Sequence, residues 1–291
     1  MKKLYKDIRF TKGILTLTAG LLIAGCSAED ELGNNSSAQQ LNMIPMVNDL
    51  QKSRANDEDA LHEKTLSKLD FKMFEPEFGE CCVNHQSSSP AENQAEVLGK
   101  DNWKKNLNLQ EDHSYNYYAV ANAQADLSKK TLEELQAATQ QDNDIWQPYP
   151  QAKDKKFLMS AKGQYIISKD PIQDIPVELV RAAAKIKLNL SSSVNGYNIT
   201  NVKWKFLNYN TNTSVFAGQT AKPNIESNNE DNTVDKIEAN KCSVTTYSYS
   251  TTWTSQEDAP KIAVKVVFES TDGKNEKREK ELTIPVRDPK G

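Results

Sequence analysis

Asn201-Val202-Lys203-Trp204-Lys205-Phe206-Leu207 places its large apolar side chains at every second position and lysines between them. A period of two puts Val202, Trp204 and Phe206 on one face of an extended chain and Lys203 and Lys205 on the other, the pattern of a half-buried strand. The same reading extends in both directions. Ile186, Leu188 and Leu190 alternate with Lys185, Lys187 and Asn189. Downstream, Thr245, Tyr247, Tyr249, Thr251 and Trp253 share a face, as do Ile262, Val264, Val266 and Phe268. Asp272-Gly273 is a turn signal that leads into Leu282, Ile284 and Val286. An Asn/Glu/Asp-rich loop is expected over residues 222–241.

The first half is less regular. Leu69, Phe71 and Met73 alternate with Asp70 and Lys72, a strand pattern. Residues 75–105 look irregular, with Ser87-Ser88-Ser89-Pro90 as a breaker, and residues 107–123 contain a strand rich in Tyr and Val. Thr131 and Glu134 stand at capping-box spacing ahead of Leu132, Leu135 and Ala138, which predicts one short helix. Ala161-Lys162-Gly163 reads as a hairpin turn between residues 157–160 and 164–167, and Pro171 and Pro176 bracket a connection. Short strands, turn signals and almost no helix point to a mainly β chain of antiparallel sandwiches. Two β-rich domains are expected, residues 41–176 and 177–291.

The start of the chain carries an address. Lys2, Lys3, Lys6, Arg9 and Lys12 precede the uncharged run Gly13–Gly25, thirteen residues long. A helix spanning a bilayer of ~30 Å needs about 20 residues, so the run fits the core of a secretion signal over residues 1–25. It ends in Ile23-Ala24-Gly25-Cys26, which resembles the lipobox of bacterial lipoproteins and marks Cys26 for acylation. The acidic Ser27-Ala28-Glu29-Asp30-Glu31 that follows is similar to the stretch marking surface export in Bacteroidetes lipoproteins. Residues 26–40 read as a flexible tether. The formal charge of −4 includes five basic residues and one acidic residue (Asp7) in the signal, so the mature chain carries −8. A mildly acidic chain without a basic stripe is not expected to bind nucleic acid.

No catalytic constellation is expected. The three histidines (His62, His85 and His113) accompany no Gly-x-Ser-x-Gly elbow, and the 11 glycines form no phosphate-cradling loop. Cys81-Cys82-x-x-His85 is the one candidate ligand group, completed by Glu80 or Cys242. Adjacent cysteines rarely direct both thiolates to one tetrahedral ion, so neither a metal nor a cofactor is expected. With Cys26 acylated, Cys81, Cys82 and Cys242 do not make a paired framework, and a bridge from Cys81 or Cys82 to Cys242 stays open. Glu133 and Glu134 read as helix caps, and Glu75, Glu77 and Glu80 as a charged turn. The ladder Tyr247, Tyr249 and Trp253 can stack on sugar rings as a glycan-binding face. The same ladder on a strand is more often core or a cross-strand stack.

Four motifs in order carry a family resemblance. They are Tyr117-Tyr118-Ala119-Val120-Ala121-Asn122-Ala123, Thr131-Leu132-Glu133-Glu134-Leu135, Phe157-Leu158-Met159-Ser160-Ala161-Lys162-Gly163 and Val180-Arg181-Ala182-Ala183-Ala184-Lys185-Ile186. This succession behind a lipobox resembles the fimbrillins, the major subunits of Bacteroidetes-type (type V) fimbriae, over residues 26–215. The resemblance implies two transthyretin-like β-sandwich domains. It also implies lipoprotein export to the outer membrane and cleavage after an arginine by a trypsin-like surface protease. Cleavage removes the first strand, and a strand from another fimbrial subunit fills the groove. Arg54-Ala55 matches the processing site, and Leu41, Met43, Ile44, Met46 and Val47 match the removed strand, in which Pro45 is tolerable only at a sheet edge. The implied partners are other fimbrial subunits, the outer membrane through Cys26, and a host or bacterial surface ligand. Such subunits continue past the position of Val286 into a further strand and a donor strand. The sequence here stops at Arg287-Asp288-Pro289-Lys290-Gly291. The second domain is therefore expected to be incomplete, either by truncation or because the chain is a short relative that cannot donate.

Overall fold

The computed structural model describes residues 39–48, 63–147, 156–216, 219 and 221–286. Cys26, Arg54 and Ala55 lie outside the described residues. The strands of the first half are β1 (Gln40–Val47), β2 (Lys68–Phe74), β3 (Cys81–Ser88), β4 (Glu96–Lys100), β5 (Ser114–Ala121), β6 (Thr139–Gln141), β7 (Met159–Ile166) and β8 (Ile172–Arg181). Two short helices interrupt them, α1 (Trp103–Asn106) and α2 (Leu132–Gln136). Seven of the strands hydrogen-bond in the order β3-β2-β5-β7-β8-β1-β4. β7 and β8 meet at only two residue pairs, Met159↔Arg181 and Ser160↔Val180, so the ribbon folds there into two layers. Leu41, Met43, Leu69, Phe71, Met73, Ala119, Met159, Ile175, Val177 and Leu179 from both layers share one buried core.

In the second half the alternation read from the sequence becomes strands. They are β9 (Ala183–Ser191), β10 (Tyr197–Leu207), β11 (Tyr209–Asn210), β12 (Asn212–Ser214), β13 (Ile225–Glu226), β14 (Asn232–Thr233), β15 (Lys241–Tyr249), β16 (Lys261–Ser270) and β17 (Lys277–Pro285). Two four-stranded sheets form, β14-β10-β16-β17 and β13-β11-β15-β9. Val202, Trp204, Phe206, Val244, Tyr247, Tyr249, Ile262, Val264 and Val266 are the core of this second sandwich.

Several local expectations are corrected. The predicted irregular stretch 75–105 contains β3, β4 and α1, so the described residues of the first half hold two short helices rather than one. The predicted hairpin at Ala161-Lys162-Gly163 is the middle of the unbroken strand β7. Gly163 is there for a neighbour rather than a turn: a Cβ on it would lie 2.7 Å from the Tyr117 hydroxyl and 2.8 Å from two ring carbons. A glycine inside a strand often marks such a close approach. The connection expected between Pro171 and Pro176 is β8, which runs through the expected domain division at residues 176 and 177. The chain changes sheets at Ala182, and Gln40, expected in the tether, already belongs to β1.

The two sandwiches share material. β6 pairs with β12 across them, Thr213 opposite Gln140. Val215 and Phe216 pack into a cluster with Phe74, Val120, Leu127, Leu135 and Leu158 on the outer face of the first sandwich. In return, Ile145 and Trp146 join the second core, where Trp146 meets Trp204 edge-on at 6.1 Å. Asn122, at φ 61, fixes the end of β5. Its amide donates to the carbonyls of Thr65 (2.8 Å) and Phe157 (2.9 Å) and its oxygen accepts from Ser67 N (2.9 Å). The predicted capping box holds as well: Glu134 N donates to Thr131 Oγ1 at 3.3 Å and Thr131 N to Glu134 Oε2 at 3.0 Å.

Candidate functional site

β1 sits inside its layer rather than at its edge. It runs parallel to β8 over eight residue pairs, from Gln40↔Ile172 to Val47↔Leu179, and antiparallel to β4 over the first four residues. Sequence reasoning allows Pro45 only on an edge strand, and the ladder shows how an interior strand accommodates it. Gln40 N donates to Pro171 O (2.9 Å) and Asn48 N to Leu179 O (2.8 Å), so the even-numbered amides of β1 face β8. Odd-numbered residues face the other way, and Pro45 O accepts from Asn93 N at 2.8 Å on that side. Pairing with β4 has already ended at Met43, so the amide that Pro45 lacks is one the sheet does not use. Pro176 follows the same rule on β8, because the carbonyls that serve β1 belong to odd-numbered residues from Pro171 to Leu179. Both prolines turn their missing donors away from the shared ladder.

The side chains divide likewise. Leu41 and Met43 are fully buried and Val47 packs on the same core, against Ile175, Val177 and Leu179 of β8. Ile44 and Met46 are half-buried on the other face. On that face Asn42 Nδ2 donates to Asp174 Oδ1 at 2.8 Å, and Asn48 Nδ2 to Glu178 Oε2 at 3.5 Å. Sequence reading misses Trp103 and Gly99, which complete the groove. Trp103, the buried first residue of α1, donates its indole N–H to Pro171 O at 3.0 Å, the carbonyl that also receives Gln40 N. Gly99 lies opposite Leu41, and a Cβ there would come within 2.9 Å of Trp103 and Leu107 side-chain carbons. The signal is present as Leu98, Leu107 and Leu109 around a tryptophan. The β-strand patterns on either side hide it.

No protein-family model and no curated protein matches the sequence. Solved structures do. The tip fimbrial protein Mfa3 from Porphyromonas gingivalis, with a C-terminal truncation, superposes with a TM-score of 0.56 at 15% identity, over 87% of this chain and 83% of that one. A candidate cell adhesion protein from Parabacteroides distasonis gives 0.55 at 17% identity, over 84% and 80%. A fimbrilin from P. gingivalis gives 0.51 at 13% identity, over 86% and 75%. This chain has their fold. At these identities the likeness speaks for architecture: a mainly β, fimbrillin-like fold, shared with these adhesion and fimbrial proteins.

Within that fold the other candidate residues separate. The aromatic ladder is core: Tyr247 is 1% and Tyr249 2% exposed, and β15 ends at Tyr249, so Trp253 falls in the following loop. Tyr247 packs at 4.7 Å on Phe157, and burial pushes the Tyr249 hydroxyl well up from its ordinary value. The glycan face built from these three side chains is thereby overturned. Period two locates the ladder on one face but does not say which face water reaches. Cys81, Cys82 and Cys242 are free thiols, with burial raising each above the ordinary thiol value. Cys82 falls at the bulge where Met73 pairs with Val83 and Phe74 with Cys81. Its neighbour Cys81 is exposed while it is half-buried. Among the described residues no three His, Cys, Asp or Glu side chains are placed to hold a metal.

Proposed function

We propose that this chain is a structural or adhesive subunit of surface fimbriae, exported as a lipoprotein on Cys26 and assembled by donor-strand exchange after cleavage between Arg54 and Ala55. The observation that carries the reading is β1. It fills a groove lined by Leu179, Val177, Ile175 and Trp103, and a single backbone cut between residues 48 and 63 separates it from every other described strand. Lys52-Ser53-Arg54-Ala55-Asn56 offers a basic cleavage site within that interval. Among the described strands β1 is the only partner of β4 and the main partner of β8, so its departure leaves a full-length slot of unpaired backbone. Such a slot takes an extended strand through main-chain hydrogen bonds, with pockets reading alternate side chains. Concealing that edge until the protein is outside the cell avoids premature aggregation.

On this reading the partners are other fimbrial subunits, and the outer membrane holds the uncut chain through Cys26. N-terminal sequencing of fimbriae sheared from cells tests it. Chains beginning at Ala55 are expected. Fimbriae composed of intact chains still acylated on Cys26 would show that the strand stays and that the protein is a permanent anchor.

A further inference from the structure

Glu63 is the first described residue after the 49–62 interval, and it is 8% exposed. Its carboxylate lies 2.5 Å from Arg181 Nη1 and 2.8 Å from Lys185 Nζ, and accepts the Tyr247 hydroxyl at 2.8 Å. Burial alone would raise its pKa. The Lys185 and Arg181 cations and the Tyr247 hydroxyl outweigh that and hold the carboxyl below its ordinary value. Arg181 is the last residue of β8, Lys185 lies in β9 and Tyr247 in β15. Arg181 also donates Nε–H to Ala183 O at 3.0 Å and lies over the Phe157 ring at 5.5 Å. The carboxyl end of β8 is thus gripped from the second sandwich.

β8 needs that grip when β1 is gone. Its ladder consists of eight pairs with β1 and two with β7. Without β1, two pairs remain, too few to keep a strand of ten residues extended. We propose that Glu63 is a positioning residue that keeps β8 in place as the wall of the empty groove, so that the second sandwich holds the acceptor site of the first ready for an incoming strand. This rests on the reading of β1 as the exchanged strand. Glu63 sits on the retained side of the cut, so cleavage leaves the clamp whole. Charge makes the clamp strict, because removing one member of a buried ionic group leaves its partners desolvated and unpaired.

The test uses the full chain, nicked after Arg54 by a trypsin-like protease, and a fluorescent peptide spanning residues 40–48. In wild type the peptide displaces the resident strand and binds. Glu63→Gln is expected to weaken that binding by about tenfold or more, consistent with breaking a buried ion pair. Tyr247→Phe, which removes a single hydrogen bond, is expected to shift it in the same direction by a smaller factor. Val264→Ala, a core change in β16 on the opposite sheet of the second sandwich from Lys185 and Tyr247, should lower the melting temperature while leaving peptide affinity within about twofold. Wild-type affinity in both clamp variants overturns the proposal, as does equal weakening by Val264→Ala, which would reduce the effect to general stability. A wild-type nicked chain that takes up no peptide overturns the strand-exchange reading itself, and the clamp's role with it.

Discussion

Shortening Leu41 in the strand that fills the groove should weaken its seating by about a hundredfold, and the number follows from where Leu41 sits. The side chain is fully buried, faces the shared core of the first sandwich and lies opposite Gly99. A buried Leu→Ala change costs about 2–5 kcal/mol, because transfer energy is lost and the cavity collapses only partly. Taking about 3 kcal/mol, and about 1.4 kcal/mol per decade, gives roughly two powers of ten in affinity. The substitution belongs in a synthetic peptide of residues 40–48, so that the folded chain is untouched. The assay is displacement of the resident strand from chain nicked after Arg54, read by fluorescence anisotropy. Ile44→Ala in the same peptide is the internal control. Ile44 is half-buried on the opposite face, so its loss should cost less than about tenfold. A one-residue slip in register would exchange the two faces and reverse the order. If Ile44→Ala proves the more damaging change, both the register of β1 and its seating in the groove are wrong.

Gly163→Ala forces a methyl into the Tyr117 ring and should lower the urea midpoint by the equivalent of about 1–3 kcal/mol. Adding Tyr117→Leu should recover part of that, and no recovery would mean that backbone strain, not the ring, is responsible. Thr131→Ala removes the capping-box acceptor of α2 and should cost about 1 kcal/mol in chemical denaturation, with Thr131→Ser restoring most of it. For Glu63 the sign is fixed by its lowered pKa. The carboxylate stabilises the fold above its unfolded value near 4.5, and that contribution is lost as pH falls through the folded value. The difference in urea midpoint between wild type and Glu63→Gln should therefore shrink as pH falls below the unfolded value near 4.5, and a gap that widens there contradicts the ionised clamp.

What the sequence makes legible is whatever depends on neighbours in the chain. The alternation at Val202, Trp204 and Phe206 locates a strand because side-chain period is a local property, and β10 buries those residues. The Thr131–Glu134 box is complete within four residues, and the helix it predicts is there. Gly163 and Pro176 mislead because their reasons lie elsewhere. Tyr117, far earlier in the chain, needs the room at Gly163, and the hydrogen-bonding side of β8 decides whether a proline is harmless. Glu63 looks in the sequence like any surface glutamate. Its partners come from β8, β9 and β15, more than a hundred residues away. The aromatic ladder misleads for a related reason: Tyr247 and Tyr249 show a face, and only the packed second sandwich shows that it is closed to water.

The placement of the prolines bears on why this particular strand can be exchangeable. Parallel pairing with β8 uses the even-numbered amides of β1, whereas antiparallel pairing with β4 uses odd-numbered groups only as far as Met43. Beyond Met43 the strand keeps its ladder with β8 on one edge, while among the described residues the other edge has only two isolated hydrogen bonds, Asn93 N to Pro45 O and Val47 N to Glu92 Oε1. Pro45 prevents a further ladder on the β4 side. An occupant of the groove then has two unequal halves. The Leu41–Met43 end is paired with strands on both sides and packed by Trp103 and Gly99, while the Pro45–Val47 end has a ladder on one side and only isolated hydrogen bonds on the other. Departure or invasion would begin where a single ladder must be broken, at the end nearest residues 49–62. Cutting that interval frees the same end, so the covalent event and the weaker half of the ladder fall together.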